Sequence, residues 1–109
     1  MIVLNKRADF VRASHAKRQG AKGLHLQGRP RNDGTPDIRV GFTCSKKVGN
    51  AVARNRAKRR LREVARLILP TVGKPGWDYV LVGRNQTTAA RPFDQLQDDL
   101  RRALASVHA

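Results

Sequence analysis

Between Arg54 and Arg66 the chain carries seven Lys or Arg and a single acid, Glu63. Guanidinium groups at this density suit phosphate, because the planar fork meets two oxygens at once and holds its charge at any working pH. They do not suit one another. Lys58 faces Arg62, and Arg62 faces Arg66, at the i, i+4 spacing that supports a helix only when the charges are opposite. Glu63, four residues after Arg59, is the one source of relief. A solvated helix face would mix the signs; a segment that accepts this repulsion is expected to meet a polyanion.

Hydrolytic chemistry has no comparable constellation. A two-metal nuclease needs grouped carboxylates, and proton transfer needs a positioned acid and base. Glu63 stands among arginines, where a local ion pair is expected, and Asp98-Asp99 reads as the solvent side of a C-terminal helix. His15, His25 and His108 occupy unrelated segments and read as surface or strand residues. Cys44 is the only cysteine, which excludes an internal disulfide and a Cys-rich zinc site, and its apolar surroundings mark a buried structural thiol. The chain alone is expected to lack an active site.

The basic run needs a helix to aim it. At helical spacing Ala57, Leu61, Val64, Ala65 and Ile68 fall on one stripe, while Asn55, Arg59, Arg62 and Arg66 point the opposite way. Asn50 supplies a cap after Gly49 and Pro70 a stop, so the helix is expected from Ala51 to Leu69. Ahead of it, Ile38, Val40, Phe42 and Cys44 alternate with Arg39, Gly41 and Thr43 in the period of a half-buried strand. A first helix is expected from Lys6 to Lys17 with Phe10, Val11 and Ser14 on one side, then a break at Gly20 and Gly23 and a strand from Leu24 to Gln27. Residues Gly28 to Asp37 are rich in turn formers and read as a mobile surface loop, disordered at its tip.

After the basic helix, Thr71 to Gly76 reads as a turn and Tyr79 to Val82 as a buried strand led in by Trp77 and Asp78. Phe93, Leu96, Leu100, Leu104 and Val107, opened by Pro92, read as a helix covering the sheet. The expected fold is α+β, a small central sheet packed by helices in the order α-β-β-α-β-α, as one domain over residues 1–109. The strand at 38–44, the basic helix and the strand at 78–83 form a βαβ crossover, right-handed by the general rule.

Twenty-three basic against eight acidic residues give a net charge of +15, which makes nucleic acid the leading partner. The excess is uneven: residues 38–77 hold eleven Lys or Arg and one acid. No apolar run approaches the roughly 20 residues of a membrane span, so no membrane partner is expected. Met1 to Leu4 is too short for a signal peptide, and a cytoplasmic location is expected.

The ordered string Ser45-Lys46-Lys47-Val48-Gly49-Asn50-Ala51-Val52, followed by Arg54-Asn55-Arg56, Lys58-Arg59 and Arg62, resembles the signature of the protein subunit of bacterial ribonuclease P. The resemblance reaches from the helix around Phe10 to the C-terminal helix. It implies a left-handed crossover, as in a ribosomal-protein S5 domain, against the general rule. It also implies that the partner RNA is the catalyst, using Mg2+ held mainly by RNA and substrate to remove the 5′ leader of precursor tRNA. One protein per catalytic RNA is expected. By the same resemblance Arg54, Asn55, Arg56, Lys58, Arg59, Arg62 and Arg66 contact the catalytic RNA, and Phe10, Lys46, Lys47, Arg54 and Asn55 line a leader cleft. Relatives often place further aromatics where this chain has Ser14 and Gln27, so leader binding is expected to rest on phosphate contacts with little base preference. A small ribosomal protein of similar charge and size is set apart only by the motif, a DNA-compacting protein is disfavoured by the lack of a dimerising arm or recognition-helix pattern, and a stand-alone ribonuclease by the missing acid/base set.

Overall fold

A computed structural model describes all residues, Met1–Ala109. The elements in chain order are β1 (Ile2–Val3), α1 (Arg7–Ser14), β2 (Lys17–Gly20), β3 (Leu24–Pro30), β4 (Arg39–Cys44), a 3-10 turn (Lys46–Val48), α2 (Ala51–Val72), β5 (Trp77–Gly83), a short α3 (Thr87–Ala90) and α4 (Phe93–Val107). The strands form one sheet in the order β1-β4-β5-β3-β2. β4 runs parallel to β5, so β4, α2 and β5 make the expected crossover unit, and β1 lies parallel beside β4. β3 is antiparallel to both β5 and β2.

Strand alternation sorts the two faces. Leu24 and Leu26 of β3, Val40 of β4, and Tyr79 and Leu81 of β5 turn to one side. There they join Leu61, Val64, Ala65, Ile68 and Leu69 of α2 and Leu96, Leu100, Leu104 and Val107 of α4 in a core of fifteen buried residues. The other side is covered only by α1, eight residues long, whose Ala13 is buried in a small cluster with Leu4 and Val80. A sheet packed fully on one face and partly on the other leaves a groove where the cover ends.

Several expectations are corrected. α1 stops at Ser14, and Lys17–Gly20, expected at the helix end and in the break after it, is an edge strand paired with β3. α2 passes through Pro70 to Val72. The missing N–H frees only the carbonyl of Arg66, which is on the exposed face and open to water, while Gly73 N–H still closes on Leu69 O at 2.8 Å. β3 runs on to Pro30, three residues into the expected loop.

The rest of that loop is tied to Arg31, which is buried despite its charge. Its guanidinium donates six hydrogen bonds, to Asp33, Thr35, Asp37, Trp77 and Asp78. Turn composition predicted an irregular path, and Asn32 and Gly34 do sit at φ 56° and 79°. Composition has no means of announcing the buried cation that holds the path in place.

Candidate nucleic-acid interface

Asn50 caps α2 through its side-chain oxygen, which accepts from Ala53 N–H at 2.9 Å. Gly49 ahead of it has φ 135°, a conformation that disfavours any side chain, and so turns the chain from the 3-10 turn into the helix. This fixes the rotation of α2: Ala57, Leu61, Val64, Ala65 and Ile68 are buried, and Asn55, Arg56, Arg59, Arg62 and Arg66 are exposed along the outside. Arg54 and Lys58 are half-buried on the flank toward β4. Burial pushes the Cys44 thiol up, and a hydrogen bond with the Gly83 backbone and then the charges of Lys58 and Arg54 oppose that push. Arg62 reaches over the sheet edge, with its guanidinium carbon 5.7 Å from the centre of the Phe42 ring.

Two members of the run behave differently from the rest. Glu63 accepts from Arg66, at i+3, and not from Arg59 as its spacing suggested, which leaves Arg59 without an acid partner. Arg60 turns inward, donating to the carbonyls of Ala89 at 2.7 Å and Arg91 at 2.5 Å and lying 5.8 Å from the Phe93 ring centre. It clamps the α3–α4 connection to α2, a structural use of a cation that the charge count folded into the basic run.

The groove beneath α1 has a volume of about 450 Å³. One wall is α1 and the segment before it, through Asn5, Arg7, Phe10, Val11 and Ser14; Phe42, Thr43, Val80 and Gln27 form the sheet side. Phe10 is half-buried, one ring edge on Gly41 and the remainder facing the groove, so core packing and an accessible ring coexist in one residue. Of the five residues expected to share a leader cleft, Phe10 alone lines this groove. Lys46, Lys47, Arg54 and Asn55 do not line it; the two lysines are in the 3-10 turn that follows β4, and Arg54 and Asn55 are near the start of α2. Ser14 and Gln27, noted from sequence as non-aromatic substitutes, both line it; Asn5, Arg7 and Thr43 were not anticipated, because nothing local in the sequence marks them.

Six of the eight acids, all but Asp37 and Asp94, pair with the protein's own arginines. Asp78 is fully buried and meets Arg39 through both oxygens at 2.7 Å, Arg31 at 3.0 Å and Arg29 at 3.7 Å. Burial would raise its carboxyl, but the hydrogen bonds and charges of Arg39 and Arg31 outweigh burial and hold it below the ordinary range. Arg39 also reaches Asp9 of α1 at 3.4 Å. Asp99, expected on the solvent side of α4, is instead buried, paired with Arg91 and accepting Gly23 N–H at 3.0 Å. Its neighbour Asp98 is the exposed one, because adjacent helical residues point about 100° apart.

His108, expected as a surface or strand residue, is half-buried at the end of α4. Its Nε2 lies 2.7 Å from the Tyr79 hydroxyl, which also accepts from Lys74 N–H, and its ring packs edge-on against Trp77. Burial, then the charges of Lys74 and Lys17, lower its pKa, and burial pushes the Tyr79 hydroxyl up to about 12. No three His, Cys, Asp or Glu side chains gather into a set that could hold a metal ion, and no helix is long and apolar enough to cross a membrane.

Residues 2–108 match the Ribonuclease P family. A ribonuclease P protein component of Ruegeria pomeroyi is 68% identical over 98% of this chain and 86% of its own length. Its counterpart in Caulobacter vibrioides is 48% identical over 97% and 70%. Among solved structures, the RNase P protein of Staphylococcus aureus shares 26% identity over 97% of this chain and 94% of its own, with a TM-score of 0.76. The RNase P protein of Thermotoga maritima has the same fold, at 24% identity and a TM-score of 0.76 over 94% and 97%. With the family model matched over nearly the whole length and relatives of this identity, the chain belongs to the bacterial ribonuclease P protein family, as a subunit of that enzyme.

Proposed function

We propose that the chain binds the catalytic RNA of ribonuclease P through the outer ridge of α2, and the 5′ leader of precursor tRNA through the groove beneath α1 and the basic turn beside it. One protein serves one RNA in this reading. The RNA performs the magnesium-dependent hydrolysis that releases the leader and leaves a 5′ phosphate on the tRNA. The observation that carries the proposal is the division of α2 into a buried apolar stripe and an exposed row of Asn55, Arg56, Arg59 and Arg62 with no acid among them.

Such a row neutralises phosphates and releases their counterions, so its contribution is large at low salt and carries no base identity. Lys46 and Lys47 in the turn before α2, with Arg54 and Asn55 near its start, add cations and an amide next to the ridge for the leader's phosphates. Within the groove the Phe10 ring is available to stack on a base, an interaction worth about 1–3 kcal/mol and tolerant of sequence. Ser14 and Gln27 add no second ring, which supports leader binding with little base preference.

Magnesium fits this chain poorly as a protein-held ion. The buried oxygens of Asp78 and Asp99 are taken by arginines, and the remaining acids are dispersed. In the proposed division of labour the ion's ligands come from RNA and substrate, and the protein's part is to bring their phosphates together.

Reconstitution tests the proposal. Protein alone is expected to leave precursor tRNA intact, while protein with the catalytic RNA cleaves at a lower magnesium concentration than that RNA alone. Magnesium-dependent cleavage at the 5′ junction by RNA-free protein would refute it.

A further inference from the structure

α1 has little of its own to hold it in place. Its eight residues are too few for a helix to persist in water by itself, and no side chain caps its first turn. Only Asp9 and Ala13 among them are buried, and Phe10 is half-buried. One methyl group and part of one ring make a small apolar anchor for an element that walls a groove. The other buried member is a charge.

That charge has a built partner. Arg39, Gly41 and Thr43 occupy alternate positions of β4, so they share the face beneath α1 at steps of about 7 Å. Thr43 lines the groove, Gly41 seats the Phe10 ring, and Arg39, at the far end, meets the Asp9 carboxylate at 3.4 Å. Arg39 is not free to follow the helix. Its guanidinium is held at 2.7 Å by both oxygens of Asp78, its fully buried register partner on β5. Arg12, the other partner of Asp9 at 3.1 Å, belongs to α1 itself and is exposed, so it ties nothing to the sheet. A helix resting on one seat can pivot about it; a second seat, one turn of the strand's alternation away, sets its angle.

We infer that Asp9 is a positioning residue for leader binding: through Arg39 it fixes the angle of α1 over the sheet, and with it the direction in which the Phe10 ring faces the groove. The inference rests on the groove being the leader's seat, and it gives Asp9 no contact with RNA. Breaking the pair leaves Ala13 and the ring seat as they are, so α1 stays on the sheet with its angle no longer held.

The test uses the reconstituted holoenzyme with leader-bearing precursor tRNA and with mature tRNA, which has no leader. Asp9→Asn, nearly equal in size, is expected to weaken precursor binding several-fold, with mature tRNA binding and assembly with the catalytic RNA unchanged. Asp9→Glu keeps a carboxylate for Arg39 and should recover part of the loss. Phe10→Ala should weaken precursor binding as well, and because Asp9 works through the ring, adding Asp9→Asn to it should have no further effect. Ala8→Asp added to Asp9→Asn returns an acid to the first turn on the exposed side of α1. It should recover nothing, which separates the pair from the general benefit of a negative charge near a helix N-terminus.

An equal loss on mature tRNA or in assembly, additive losses from Asp9→Asn and Phe10→Ala, or recovery through Ala8→Asp would each overturn the inference, since Asp9 would then serve the fold or the helix end. Asp9→Asn binding precursor as tightly as wild type would overturn it too. If Phe10→Ala itself binds precursor like wild type, the groove reading falls, and this inference with it.

Discussion

The Phe10 ring rests on the bare backbone of Gly41, so closely that a methyl group there would lie 2.7 Å from two ring carbons. α1 holds its place over the sheet because that strand position has no side chain, and the wall of the groove is set by this close approach. Gly41→Ala must lift the ring or tilt the helix. The expected result is a loss of about 1–3 kcal/mol in stability, the usual cost of overpacking, with weaker binding of leader-bearing precursor and unaltered assembly with the catalytic RNA. Denaturant melts and the two binding assays, run side by side, check it.

Arg59 and Arg62 project from the exposed ridge of α2. The Arg59→Ala, Arg62→Ala double change is expected to weaken assembly with the catalytic RNA and to lower the slope of log affinity against log salt by about one unit for each phosphate left without its arginine. Thermal stability should barely change. A salt series of binding titrations reads the effect, and an unchanged slope would count against this face.

Arg60 belongs to the same run and should behave in the opposite way. Its guanidinium satisfies the carbonyls of Ala89 and Arg91, and Arg60→Ala leaves both without that partner. A stability loss of about 1–3 kcal/mol is expected, with the salt slope of RNA assembly preserved. Comparing the melting temperature and salt slope of this variant with those of the ridge variant separates a structural arginine from an RNA-facing one.

The Asp78 carboxyl, held below its ordinary range, binds its proton less readily in the folded chain than in the unfolded one. Its stabilising effect is therefore complete above the unfolded carboxyl's value, near pH 4, and is lost as the pH falls through the lower folded value. Asp78→Asn leaves Arg31 and Arg39 with an uncompensated charge and is expected to cost about 3–5 kcal/mol near neutral pH. Urea midpoints at a series of pH values should show the variant losing less than wild type across the acid range.

Leader recognition should be nearly blind to base identity. The sheet side of the groove offers Val80, Phe42, Thr43 and Gln27, and its one stacking ring on α1 is Phe10. Affinities for precursors differing only in leader bases are expected to agree within a few fold, and a strong preference at one position would contradict the reading.

What could be read along the chain was whatever repeats with the period of its own element. The buried stripe of α2, the Asn50 cap, the alternation of β4 and the apolar face of α4 were legible because the signal for each lies within a few turns or residues. The boundaries that failed were those where tertiary partners outweigh local preference. Lys17–Gly20, polar throughout, became a strand because β3 offers it an edge, and the turn-rich stretch after Pro30 found its order in one buried guanidinium.

Charge by its own count marks the protein as a binder of polyanions, and the motif from Ser45 to Arg62 places it in its family. Neither can say which cations are free to bind. That was decided by packing: Arg31, Arg39, Arg60 and Arg91 are held by the protein's own acids and carbonyls, whereas Arg18, Arg59 and Arg62 are left facing water. The physical reason is that a guanidinium is indifferent to whether its partner oxygen belongs to the chain or to an RNA. Only folding brings Asp78 within reach of residues 39 and 47 positions away, or sets the Phe10 ring on Gly41 to open a groove beside it.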